Sequence, residues 1–270
     1  SKFTKANRAV VREQDEGEYE GQETHVFIPG GFKPPHKGHV TLLEKALEEY
    51  PNATKIYIVS GGEERGVKGV PDFVITREQS KKIWKIYLNG LGIPEEKVEL
   101  DYFKEFKRKI KSKTGKPVMA KSPLLKIAMD LEFDTAPNST IVLVSPFDSH
   151  INFIKNAVSW LNKEGEGKRK DYQFKFEPLK VSLLEDPDSP ETTPEEDGAP
   201  EPEKLSAGNM RKAVAYNKFE DFKRFMPDFI FEEESKKIFA MLGGQDTAAE
   251  EAEETPMEPQ EAMEEMSSAG

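Results

Sequence analysis

Ten consecutive residues, Gly30-Gly31-Phe32-Lys33-Pro34-Pro35-His36-Lys37-Gly38-His39, gather the densest set of chemically capable groups in the chain. The two glycines leave backbone N–H groups exposed after an apolar run, His25-Val26-Phe27-Ile28, which reads as a strand ended by Pro29. From Gly38 the apolar spacing turns helical, with Val40, Leu42, Leu43, Ala46 and Leu47 on one face. A strand, a glycine turn and a helix start make an anion site, because a helix N-terminus offers unpaired N–H donors and partial positive charge. His36 and His39 are three residues apart, so on a first helical turn they face the same way. Both could touch the oxygens of a triphosphate, with Lys33 and Lys37 adding charge nearby. Two of the chain's four histidines lie here. The competing reading is a proline-rich turn whose histidines only cap a helix.

Groups of this kind must be held by a larger scaffold. Lys55 to Ser60 reads as a short buried strand. Thr76 and Gln79 form a capping-box pattern that starts a helix through Ile83, Trp84, Ile86, Tyr87 and Leu88. Lys97 to Leu100 is a short strand, and Ser122-Pro123 opens a helix carrying Leu124, Leu125, Ile127, Ala128 and Met129. Thr140 to Ser145 is the clearest strand. Ile151 to Leu161 reads as a helix, and Tyr172 to Phe176 alternates like a strand. Helices follow near Gly208 to Tyr216, Glu220 to Phe225 and Phe231 to Leu242. The alternation predicts an α/β fold: a Rossmann-like, doubly wound parallel sheet of about five strands with helices on both faces. Ligands in such sheets bind beyond the C-terminal strand ends, where strand order reverses. The Gly30-Gly31 turn is in the right place for this.

Composition sets the outer bounds. The chain has 270 residues, 36% apolar and 33% charged, which fits one ordinary core with polar segments outside it. Residues 1–22 read as a disordered leader, 23–242 as the folded domain with an acidic, proline-rich insertion at 184–204, and 243–270 as a disordered acidic tail. The net charge of −11 is unevenly spread. Glu185 to Glu203 and Gly244 to Gly270 each hold nine acids and no base. Outside them 32 acids face 39 bases, so the part expected to fold carries +7. A basic core favours phosphate-rich ligands. With no cysteine, disulfides and thiolate metal sites are excluded, and an intracellular, cytoplasmic setting is the default expectation. No secretory signal or membrane-length apolar run is legible.

The stretch Pro29-Gly30-Gly31-Phe32-x-Pro34-x-His36-x-Gly38-His39 resembles the nucleotide-binding signature of the cytidylyltransferase-like nucleotidyltransferases. Their second motif, of the form Ile-Ser-Ser-Thr-x-Ile-Arg, is similar to Leu205-Ser206-Ala207-Gly208-Asn209-Met210-Arg211. The resemblance covers about residues 24 to 230, and the form of the first motif is similar to members encoded by tailed bacteriophages. It implies transfer of AMP or CMP from ATP or CTP to a phosphorylated small-molecule acceptor, with release of pyrophosphate. It assigns catalytic roles to His36, His39 and Arg211, and nucleotide binding to Gly30, Gly31, Phe32, Lys33, Gly38, Ser206, Gly208, Asn209 and Met210. It also implies Mg2+ carried by the phosphates, with no direct protein ligand. Three positions depart from the family. Gly31 stands where many members have Thr or Ser, Lys33 where many have Asp, and Gly208 where Thr is usual. The lost hydroxyls weaken acceptor and phosphate contacts, although Gly208 keeps its N–H.

Other positions carry less. Arg77 at a helix start matches a phosphate contact of some members, or a solvated helix-end residue. Ser145-Pro146-Phe147-Asp148 should reach the same sheet edge, where Asp148 could touch a base or ribose, or simply turn the chain. His25 and His150 read as structural, Lys104 to Lys121 as a solvated basic face, and Trp84 and Trp160 as core. Two rivals stand beside the enzyme: a scaffold or virion-associated protein that keeps the fold without the reaction, and a nucleic-acid binder, which is the weaker of the two. The acidic tail would suit a protein partner, and no membrane partner is expected.

Overall fold

The structure, a computed structural model, describes residues 22–61, 64–101, 122–163, 172–183 and 205–245. The leader, the basic run 104–121, the acidic insertion and the tail beyond residue 245 lie outside the described residues.

Strands β1 (Thr24–Gly30), β2 (Lys55–Ser60), β5 (Val98–Asp101), β6 (Thr140–Ser145) and β7 (Lys175–Lys180) form one sheet in the order β5-β2-β1-β6-β7. Every pairing in it is parallel. Side-chain direction alternates along a strand, and β1 shows the consequence. Val26 and Ile28 enter one core, Phe27 the other. The larger core lies under α1 (Lys37–Glu49), α2 (Arg77–Gly90), α5 (Ala207–Ala215), α6 (Phe219–Lys223) and α7 (Glu232–Met241). The smaller lies under α3 (Pro123–Phe133) and α4 (Asp148–Lys163). Helices therefore cover both faces, and the fold is a Rossmann-like α/β sheet. All six residues of β6 are buried, which explains why its unbroken apolar run was the clearest strand signal. At the sheet edge, β7 begins three residues later than the alternation from Tyr172 to Phe176 suggests, ends four residues further on, and contains Pro178, tolerated where no neighbour needs its missing N–H.

From β1 the chain steps to β2 and β5 on one side, then returns to β6 and β7 on the other. The order reverses between β1 and β6, so the crevice predicted for a ligand lies between the Gly30-Gly31 turn and the turn after Ser145.

Two expectations change. A hairpin, β3 (Arg65–Val67) and β4 (Val70–Ile75), stands apart from the main sheet. Its two-residue connection is Lys68-Gly69, and Gly69 has φ +90°; Val67-Lys68-Gly69-Val70 is a short hairpin signal, weaker than the alternation of the main strands. Trp84 is fully buried, as expected, but Trp160 is 49% exposed on the outer side of α4. Helical spacing alone does not say which turn of a helix the neighbouring layer covers.

Candidate functional site

The first motif is a loop pinned from below. Phe32 has φ +47°, an uncommon state for a side chain of its size, and its ring is fully buried. The ring meets Trp84 and His39 edge-on, at 5.6 Å and 4.8 Å between centroids. A Cβ on Gly30 would lie 2.5 Å from the Phe32 ring, so this position must be glycine for the ring to fold under the loop. The Pro35 carbonyl accepts the Tyr87 hydroxyl at 3.2 Å; burial keeps that phenol protonated far above neutrality. The Lys37 N–H donates to the Phe225 carbonyl at 2.8 Å, tying the loop to the turn that follows α6.

His36 is the N-cap of α1. Its Nδ1 accepts the Gly38 N–H at 3.2 Å, and His39 Nδ1 accepts the His36 N–H at 3.1 Å. The rings stack with centroids 3.7 Å apart. Thus the capping reading holds, and it does not compete with ligand binding. A neutral imidazole whose Nδ1 accepts must carry its proton on Nε2. Both rings are thereby fixed as Nε2–H donors, and no group among the described residues accepts from either. Burial, with Lys37 adjacent, pushes His36 down to about 4, and burial with His36 adjacent holds His39 well below the ordinary histidine value. Both are neutral donors near pH 7 rather than cations.

Capping also changes one expectation. The N–H groups of Lys37, Gly38, His39 and Val40 are taken by the Phe225 carbonyl, the His36 ring and the His36 carbonyl. The start of α1 therefore offers no spare backbone donors. Those lie on α5. There Ser206 is the N-cap, its Oγ accepts the Asn209 N–H at 3.1 Å, and its carbonyl accepts the Met210 N–H. The N–H groups of Ala207 and Gly208 have no acceptor among the described residues, at a helix end that favours anions.

The fold brings the two motifs together although they are far apart in the chain. A Cβ on Gly38 would sit 3.1 Å from Leu205, so this glycine permits the close approach of α1 to the segment that starts α5. Arg211 reaches across. Its Nη1 donates to the Lys33 carbonyl at 2.6 Å and its Nε to the Gly66 carbonyl of the hairpin at 3.1 Å. Burial and the neighbouring Arg65 lower its pKa. The positive charge of Arg65 thus acts on Arg211, and two cations in one neighbourhood favour an anion. Arg65, carried by the hairpin, was not singled out from the sequence; recognising the hairpin would have found it.

Other sequence candidates divide. Lys33 is buried, and its Nζ donates to the Gly61 carbonyl at 2.5 Å, so the side chain braces the loop against the end of β2 instead of facing a ligand. Phe32 and Met210 are core residues, leaving Phe32 only its backbone for a ligand. Gly31 is exposed with nothing near its Cβ position, and Gly208 has room for a side chain, so the missing hydroxyls are not sterically enforced. Arg77 is exposed on the first turn of α2. Asp148 begins α4 at the same sheet edge and pairs with Lys180 at 2.7 Å. His150 bonds Ser145 Oγ at 2.9 Å, and His25 bonds Glu23 and Tyr57 at the far end of β1.

The converging groups are N–H donors and cations, a set that addresses phosphate oxygens. Among the described residues no helix is long and apolar enough to cross a membrane. No family model and no curated protein matches the chain.

Proposed function

We propose that the protein is a nucleotidyltransferase that moves AMP or CMP from a nucleoside triphosphate to a phosphorylated small molecule and releases pyrophosphate. One observation carries the reading. The His36/His39 donor pair and the free N–H groups of Ala207 and Gly208 belong to segments that Gly38, Leu205 and Arg211 hold in contact. A scaffold has no use for two fixed Nε2–H donors beside a helix start with spare N–H groups and an arginine that spans both segments.

In this reading an acceptor phosphate oxygen attacks the α-phosphorus in line. The bond from that phosphorus to the α,β-bridging oxygen breaks, and its electrons leave with pyrophosphate. No covalent enzyme intermediate is required, so the protein positions the reactants and stabilises developing charge. His36 and His39 donate to oxygens around the reacting phosphorus. Ala207, Gly208 and the Ser206 hydroxyl hold the terminal phosphates. Arg211 and Arg65 neutralise the leaving pyrophosphate, which requires Arg211 to exchange a carbonyl partner for a phosphate oxygen. A magnesium ion brought by the triphosphate supplies further charge neutralisation; the donor set described here suits the phosphates and not the ion itself.

The test follows pyrophosphate release from each nucleoside triphosphate with magnesium and a panel of phosphorylated acceptors. Release that disappears in His39→Ala and Arg211→Ala is expected. Absence of release together with absence of a nucleotide-induced thermal shift would refute the enzyme. A thermal shift without turnover would leave a nucleotide-binding protein that has lost the reaction.

A further inference from the structure

We propose that Phe147 is a stacking platform for a planar heterocyclic ring of a nucleotide bound at the β1/β6 crevice, with His150 as its polar neighbour. The inference rests on the nucleotide reading above and adds the chemical class that the crevice selects.

Phe147 is 56% exposed and immediately precedes Asp148, the first residue of α4. Helix starts favour Ser, Thr, Asp or Asn there, because a short polar side chain caps the first turn. A phenyl ring forgoes that cap and leaves apolar surface in water. Such local violations of the folding rules concentrate where a protein has another use for the position. The ring is nonetheless firmly placed. Ser145, fully buried, accepts the Phe147 N–H on Oγ at 3.2 Å and bonds His150 Nδ1 at 2.9 Å. The Phe147 carbonyl accepts the N–H groups of His150 and Ile151 at 3.2 and 3.3 Å. The Phe147 and His150 rings meet at 5.0 Å with planes 67° apart.

Topology puts this ring at the same end of the sheet as the phosphate site. β1 pairs with β6 up to Phe27 opposite Leu143. β1 runs on to Gly30 and β6 to Ser145, so the Gly30-Gly31 turn and the turn carrying Phe147 leave neighbouring parallel strands at the same end of the sheet. The Asp148–Lys180 ion pair stands next to it. A ring stacked on Phe147 shares the C-terminal sheet edge with phosphates held by His36, His39 and Gly208. Because every base has a π-face, stacking selects for the presence of a ring and tolerates its identity.

The experiment measures calorimetric binding of tripolyphosphate, of ATP, and of AMP with a non-hydrolysable ATP analogue saturating, for wild type, Phe147→Ala and Phe147→Trp. Because Phe147 is exposed, the variants should melt like wild type. If the ring belongs to the donor, Phe147→Ala weakens ATP by about tenfold or more and leaves tripolyphosphate unchanged, while Phe147→Trp retains affinity. If it belongs to the acceptor, ATP is unaffected and AMP weakens by a similar factor. Unchanged ATP and AMP binding in Phe147→Ala overturns the platform while leaving the phosphate site intact. Phe147-dependent ATP binding without any tripolyphosphate binding keeps the platform and overturns the phosphate site. A wild-type chain that binds none of the three overturns both.

Discussion

Replacing His36 by Asn separates the cap of α1 from the titration of an imidazole. Asn caps helices well, and its side-chain oxygen can accept the Gly38 N–H as Nδ1 now does. It neither titrates nor supplies the ring donor. In the folded protein burial pushes His36 from 6.5 down to about 4, with Lys37 acting in the same direction. In the unfolded chain the same group takes up a proton near its ordinary value. Between those two values the unfolded state binds more protons, so stability rises with pH across the window and falls as the solution is acidified. At 1.36 kcal/mol per pKa unit, His36 removes about 3 kcal/mol of stability between neutral pH and pH 4. His39 is held down by burial as well, but it remains in both proteins and largely cancels in the comparison. Urea denaturation of wild type and His36→Asn at a series of pH values across that window measures the difference. The variant should lose most of the acid-side decline, and the gap between the two proteins should narrow or invert as pH falls. Parallel stability–pH curves would refute the claim that His36 is a buried, neutral donor, and with it the tautomer assignment on which its phosphate contact depends.

Further expectations concern single positions. Arg211→Lys keeps a charge but loses the fork that reaches Lys33 and Gly66 together, and should lower turnover about 100-fold, as removal of one oxyanion donor does; pyrophosphate release measures it. Gly30→Ala places a methyl 2.5 Å from a ring that is packed on every side and should destabilise by about 1–3 kcal/mol, read from the urea midpoint. A Cβ at Gly208 would meet no atom closer than 3.6 Å, so Gly208→Thr should fold normally while tightening tripolyphosphate binding several-fold; weaker binding would mean that the added side chain obstructs the ligand.

Much of the fold could be read because its signals are local. Thr140 to Ser145 is apolar on both sides because β6 is central, and Thr76 with Gln79 forms the capping box expected of them. The hairpin from Arg65 to Ile75 went unread because only three residues make up β3 and a Pro interrupts β4, too little alternation to stand out. With it went Arg65. Lys33 was read as a ligand-facing cation because charge on a glycine-rich loop ordinarily points outward; only the position of the Gly61 carbonyl turns it inward.

Sequence by itself determined the identities and the order of the reactive groups: two histidines three apart at a helix start, and a Ser–x–Gly–x–x–Arg run far downstream. Those follow from spacing along the chain, which three-residue helical geometry converts directly into a shared face. Tertiary structure decided which of these groups remain available. It consumed the backbone donors of α1 in its own cap and left those of Ala207 and Gly208 open. It also drew Arg211 onto the carbonyls of Lys33 and Gly66, residues distant in sequence. The physical reason is that a backbone or guanidinium donor is stabilised by pairing, and which acceptor lies within its reach is set by how the sheet and helices pack.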